Sequence, residues 1–178
     1  MKTKVLENII STKELAYIYK TITSSFGWRL NGSSTMEEEN YFFQGPSLLV
    51  FSEGNTYNDV FNFWGQSLVY RIAKLLKDEK IGIPTQIQRM WFNVTYQGKK
   101  TQHKLHVDDS ETETKSILLF LTPIWQPDWR GSFFVDGEEF KFKPGSAVIF
   151  DSSQYHQGES PISETYNWLR LTCNILVK

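Results

Sequence analysis

The sequence predicts a mainly β fold of the α+β class: a double-sheet antiparallel jelly roll with its N-terminal helices packed on one outer face. Three observations lead there. Apolar residues recur with a helical period up to about residue 85 and with a period near two after it. Eight short runs suited to strands then follow in quick succession, with turn signals between them. Helices that precede the strands, instead of alternating with them, segregate to one side of the sheets.

Val5 to Ile10 is read as a short first strand. Ser11 and Glu14 form an S-x-x-E capping box, and Leu15, Ile18, Tyr19 and Ile22 continue from it as the apolar stripe of a helix. Trp28-Arg29-Leu30 is placed at a sheet edge, and Asn31 to Asn40, polar with three consecutive glutamates, is read as a loop. A second helix is expected from Asn58. Its stripe is Val60, Phe63, Trp64, Leu68, Ile72 and Leu75, and Lys74, Lys77 and Lys80 near its end complement the helix dipole. Gly82 and Pro84 stop it. The strands are read as Gln86–Tyr96, Lys104–Val107, Ser116–Leu121, Ser132–Val135, Glu139–Lys143, Ala147–Phe150, Tyr155–Gln157 and Tyr166–Val177. Asp136-Gly137 marks a hairpin and Pro144-Gly145 a turn.

A chain of 178 residues fits one domain, residues 1–178, with a helical part over about 1–85 and a jelly-roll core over about 86–178. That length buries about 70% of the unfolded surface, enough for one core without staples. A net charge of −1 with both signs interspersed leaves no electrostatic footprint for a polyanion, so nucleic acid is not an expected partner. The longest apolar run, Ile117 to Leu121, is far short of the ~20 residues of a membrane span, and Glu7 soon after Lys2 and Lys4 leaves no signal-peptide core. A lone Cys173 within an apolar strand is read as a buried small hydrophobe, which suits the cytoplasm or another reducing, soluble compartment.

The chemistry centres on His106-Val107-Asp108. On a strand, His106 and Asp108 face one way and Val107 the other, so the two polar side chains can converge on one ion. His103 and Asp109 fail by the same parity. His156 lies 48 residues beyond Asp108, room for about four strands, so a closed sheet can return it to the same place. Two imidazoles and a carboxylate with open positions are the ligand set of non-haem Fe(II) oxygenases. Arg170, between Leu169 and Leu171, faces opposite to both; an inward guanidinium is costly unless an anion pairs with it, either a bound dicarboxylate or a protein carboxylate.

The order H-V-D (106–108), H (156) and R-L-T (170–172) resembles the 2-oxoglutarate/Fe(II)-dependent dioxygenases, and most of all their prolyl 4-hydroxylase-like branch. Tyr96-Gln97-Gly98 before the first histidine and E-F-K-F-K-P-G-S-A-V-I-F (139–150) before the second extend the resemblance over roughly residues 86–178. Trp129-Arg130-Gly131-Ser132 stands where relatives often carry W-x-G-G. The resemblance implies a double-stranded β-helix with Fe(II) on His106, Asp108 and His156. It also implies 2-oxoglutarate as co-substrate, held by Arg170, Thr172 and Tyr96, with O2 as oxidant and ascorbate as an optional further requirement. The implied product is a hydroxylated C–H bond with release of succinate and CO2, on a peptide by the prolyl-type reading or on a free amino acid or other small molecule by the alternative. A jelly-roll binding module without turnover is the third reading. Leu176, where a nucleic-acid demethylase of this superfamily would repeat arginine, disfavours that class. Trp91, Trp129 and Arg130 are candidates for a substrate groove, and the loops Asn31–Gln44 and Pro123–Arg130 for specificity.

Overall fold

A computed structural model of the chain describes residues 2–24, 44–52, 55–56, 58–78, 81–95, 104–111, 113–162 and 169–178. Among these residues ten strands and two α-helices run in the order β1 (Lys4–Leu6), α1 (Thr12–Thr23), β2 (Gln44–Ser52), β3 (Asn55–Thr56), α2 (Asp59–Asp78), β4 (Ile87–Thr95), β5 (Lys115–Phe120), β6 (Phe133–Val135), β7 (Glu138–Phe140), β8 (Ala147–Asp151), β9 (His156–Gly158) and β10 (Arg170–Val177). The expectations on Trp28–Leu30, Asn31–Asn40, Lys80, Tyr96 and His103 lie outside the described residues.

Seven strands form the larger sheet in the order β1-β8-β5-β10-β4-β2-β3, and three form the smaller, β7-β6-β9. Every ladder is antiparallel and most neighbours are distant in sequence, as a jelly roll requires. The larger sheet has two working faces, set by the alternation along β10. Leu171, Cys173, Ile175 and Val177 point outward and are fully buried against the helices, together with Met90, Phe92, Val94, Ile117 and Leu119. Arg170, Thr172 and Asn174 point inward, toward a second cluster of Leu118, Phe120, Phe133, Val135, Phe142, Val148 and Phe150 between the sheets. One chain thus builds an apolar layer under the helices and a partly polar barrel interior.

α1 begins where the capping box predicts: Ser11 is extended at φ −69°, ψ 156°, and its hydroxyl accepts the Glu14 amide at 3.2 Å. Leu15, Ile18 and Ile22 are buried, and Tyr19 accepts the Leu169 amide on its hydroxyl at 3.0 Å, tying the helix to the approach of β10. Asn58 caps α2, its side-chain oxygen accepting the Phe61 amide at 3.0 Å. The buried face of α2 differs from the expected stripe. Phe61, Leu68, Val69, Ile72 and Leu76 are buried, whereas Val60 and Phe63 are 67% and 79% exposed and Leu75 is also exposed. The reason is Gly65: a Cβ there would lie 2.3 Å from Met90 Sδ, so α2 meets β4 at a residue that hydrophobic patterning does not score.

β2 and β3 were not expected, because Gly45 and Pro46 interrupt the first of them. Pro46 falls where the β2–β4 register slips, between Gln44 and Ser47, and a proline without an N–H is tolerated at such an irregularity. Asp136 and Gly137 both have positive φ, 48° and 83°, and close the β6–β7 hairpin as predicted. Gly145, at φ 76°, accepts the amides of Ile9 and Ile10 on its carbonyl, and a Cβ there would meet the Ile10 carbonyl oxygen at 2.7 Å. The expected strand over Lys104–Val107 is absent. Only His106 pairs, in an isolated antiparallel bridge to His156.

Candidate metal and co-substrate site

His106, Asp108 and His156 meet in the barrel. One donor atom from each lies within 4.8 Å of the others. The four strands β5 to β8 fill the interval between Asp108 and His156, and the return is fixed by backbone: the His106 amide donates to the His156 carbonyl at 3.1 Å and the reverse bond is 2.8 Å. Beyond His106 the chain turns away from the ladder. The amides of Asp108 and Asp109 both donate to the Ser152 carbonyl, at 3.0 and 3.3 Å. Convergence of His106 and Asp108 therefore comes from this turn and not from strand parity, and Val107 is 37% exposed instead of packing on an opposite face. Asp109 is held elsewhere, its two oxygens accepting from the Glu111 amide and the Thr114 hydroxyl.

Each imidazole is oriented in the same way. His106 Nδ1 lies 3.0 Å from the Lys104 carbonyl, and His156 Nδ1 lies 3.0 Å from the Gln154 carbonyl. A carbonyl only accepts, so Nδ1 carries the proton on both rings and Nε2 of each keeps its lone pair for a ligand. Phe133 and Phe150 pack on the His156 ring, which is 4% exposed. Asp108 Oδ2 accepts the Ser116 hydroxyl at 2.6 Å, while Oδ1 lies 3.5 Å from His156 Nε2. Burial pushes the Asp108 carboxyl up, but the hydrogen bond and charge of His156, with Ser116 and His106, outweigh it and hold the group below its ordinary value. Burial likewise pushes His156 down, and the bond and charge of Asp108 carry it above its ordinary value. The donor set is thus one buried carboxylate and two imidazoles with donor atoms within 4.8 Å of one another, a set whose chemistry fits a divalent cation.

Arg170 opens β10, 3% exposed. Its Nε donates to the Gly131 carbonyl at 2.8 Å and its guanidinium lies 5.7 Å from the Phe142 ring centre. Nη2 is buried with no hydrogen-bond partner among the described residues. Desolvation pushes its pKa down to about 10, against the charge of Glu159. Glu159 is itself buried and accepts the Ser132 amide at 3.1 Å, so it lowers the cost of the guanidinium without filling Nη2. An oxyanion in the barrel would satisfy that atom. Thr172, two residues on along the same face, is buried opposite Asn93 and Phe120. Tyr96 is outside the described residues.

Of the groove candidates, Trp129 is buried at 3% exposure and belongs to the core. Trp91 is half-buried on the inner face of β4, with the Arg89 guanidinium 4.7 Å above its ring. Arg130 is exposed, and with Trp125, Pro127, Phe142 and Glu159 it lines a cleft of ≈ 540 Å³, so the Pro123–Arg130 loop does border a cavity. Gly131 sits at φ 80°, where a Cβ would lie 2.7 Å from Trp125 and 3.2 Å from Arg170. Sequence reasoning missed Ser116, Ser152 and Glu159. Only Ser116 left a signal, an inward-parity hydroxyl at the head of an otherwise apolar strand.

No protein-family model and no curated protein matches the sequence. Solved structures do match, over nearly the whole chain. A prolyl-4-hydroxylase of Pseudomonas putida is 14% identical at TM-score 0.59, covering 99% of this chain and 92% of its own. An oxidoreductase of the 2OG-Fe(II) oxygenase family from Burkholderia pseudomallei is 14% identical at TM-score 0.66, with 98% and 84% covered. HygX from Streptomyces hygroscopicus, with nickel and 2-oxoglutarate bound, is 10% identical at TM-score 0.63, with 98% and 81% covered. The likeness is one of backbone: the chain has the jelly-roll fold of the 2-oxoglutarate/Fe(II) oxygenases.

Proposed function

We propose that the protein is an Fe(II)- and 2-oxoglutarate-dependent dioxygenase, a single domain over residues 1–178, that hydroxylates a C–H bond of a peptide in the manner of a prolyl hydroxylase. One observation carries the reading: the same barrel holds three converging donor atoms and a buried guanidinium with an unfilled N–H. A metal-binding shell alone needs only the first. The second is the expected partner of a dicarboxylate co-substrate. The peptide reading draws support from the prolyl-4-hydroxylase among the solved structures of this fold.

In this reading His106, Asp108 and His156 would hold Fe(II), through the two Nε2 atoms and Asp108 Oδ1. Arg170 holds the distal carboxylate of 2-oxoglutarate, with Thr172 and Tyr96 as further contacts. When bound, the metal and co-substrate supply the oxidising chemistry: O2 is consumed, 2-oxoglutarate leaves as succinate and CO2, and one oxygen atom enters the substrate C–H bond. The chain's own contribution is orientation and dryness. The Lys104 and Gln154 carbonyls fix both tautomers, and Phe133, Phe150 and Phe142 keep water from the polar centre.

The test is succinate formation from 2-oxoglutarate with Fe(II), run with a library of proline-containing peptides and with free amino acids, and mass spectrometry for a gain of one oxygen atom. Peptide oxidation supports the reading. Oxidation confined to free amino acids moves the protein to the small-molecule class, and no succinate under any condition leaves the binding module.

A further inference from the structure

We propose that Ser116 is a positioning residue that restricts Asp108 to a single metal-ligating oxygen. The inference rests on the metal-centre reading and goes beyond it to a residue that no ligand pattern contains. Ser116 opens the inward face of β5 and is 4% exposed, opposite Leu176 on one side and Phe150 on the other. Its hydroxyl donates to Asp108 Oδ2 at 2.6 Å, a charge-assisted bond in a dry site. Asp108 has no strand partners to hold it. Its backbone is fixed by one bond to the Ser152 carbonyl, and apart from Ser116 its carboxylate meets, among the described residues, only His156 Nε2, at 3.5 Å, across a soft terminal torsion. With Oδ2 engaged, Oδ1 alone faces His156 Nε2, at 3.5 Å.

The count of ligand positions gives this bond its consequence. A donor set of two imidazoles and one carboxylate oxygen would leave an octahedral ion open to a chelating co-substrate and to O2. If both oxygens of Asp108 turned to the metal, that last place would be lost. Ser116 stands on the larger sheet, and the Asp108 that it holds follows His106, which bridges to His156 at the start of β9 in the smaller sheet.

The experiment uses the whole chain and Co(II) alone. Calorimetric titration and the visible absorption of bound Co(II) are compared for the parent, Ser116→Ala, Ser116→Thr and Ser116→Val. Threonine and valine have the same shape and differ by the hydroxyl. The expected result is a loss of about 10- to 100-fold in Co(II) affinity, with a changed visible spectrum, for Ala and Val and restoration of both by Thr. Parent-like affinity and spectrum in Ala, or equal behaviour of Thr and Val, overturns the inference and leaves the metal centre standing. Absence of Co(II) binding to the parent protein overturns the metal centre itself, and the role of Ser116 with it.

Discussion

A buried guanidinium with an unfilled N–H is costly to keep, and among the described residues Arg170 keeps one. Its fork can meet a carboxylate through two parallel bonds, whereas lysine offers a point charge. Arg170→Lys should therefore raise the apparent KM for 2-oxoglutarate roughly 10- to 150-fold, the equivalent of a charge-assisted bond of ~1.5–3 kcal/mol. Fe(II) affinity should stay within a few-fold. Succinate formation against 2-oxoglutarate concentration, with calorimetric metal titration beside it, checks both; an unchanged KM with a lower melting temperature would make Arg170 a purely structural partner of Gly131 and Glu159. At the triad, His106→Ala, His156→Ala or Asp108→Ala should each abolish stoichiometric Fe(II) binding. Asp109→Ala should retain iron and lose only the stability of two loop bonds, on the order of 1 kcal/mol each. Iron retained without Asp108 would mean that another carboxylate supplies the third ligand.

Element by element, what was legible follows from what hydrophobic period can encode. The N-cap at Ser11, the Asp136-Gly137 hairpin, the Pro144-Gly145 turn and the alternation in β4 and β10 are local signals that appear in the fold, whereas Glu14 bonds Trp64 and Arg71 instead of closing the capping box and β5 and β8 are buried nearly end to end. The grouping of His106, Asp108 and His156 was legible for the same reason, since it needs only residue types and separations. The errors lie where a non-local contact decides. Gly65 sets the rotation of α2 through its contact with Met90, and the Ser152 carbonyl, not a strand, brings Asp108 beside His106. Parity paired His106 with Asp108, whose donor atoms do converge, through an incorrect local structure. The α2 contact makes its own prediction. Gly65→Ala gains about 1 kcal/mol of helix propensity but must displace the fully buried Met90 side chain, so a net loss of roughly 1–2 kcal/mol is expected. Met90→Ala in the same chain should remove most of the Gly65→Ala penalty, measured as coupling in a double-mutant cycle of urea denaturation. Additive losses would show that the helix does not meet β4 at Gly65.

At the scale of the whole molecule, β10 joins the two layers: its outward residues complete the core under the helices, and its inward residues include Arg170 and Thr172. Cys173 sits between these functions. Its thiol is fully buried, opposite Phe92 on one neighbouring strand and Leu119 on the other, and burial pushes its pKa well above the ordinary thiol value. A reagent that needs the thiolate can reach it only after the helices lift from the larger sheet, an opening that exposes the main apolar core. Thiol labelling under native conditions should therefore report global unfolding, not local fluctuation. Any ligand that binds only the folded barrel should then slow it by mass action: at a free concentration 100 times its Kd the protection is about 2.7 kcal/mol, or roughly 100-fold in rate. With metal in place, 2-oxoglutarate should give that protection, and succinate, which lacks the 2-oxo group, much less at the same concentration. Arg170→Lys should lose the protection at concentrations that protect the parent chain. The measurement is the rate of reaction with a disulfide reagent in limiting opening conditions; a rate that ignores the co-substrate would mean that Cys173 is reached by a local opening that leaves the Arg170 pocket intact.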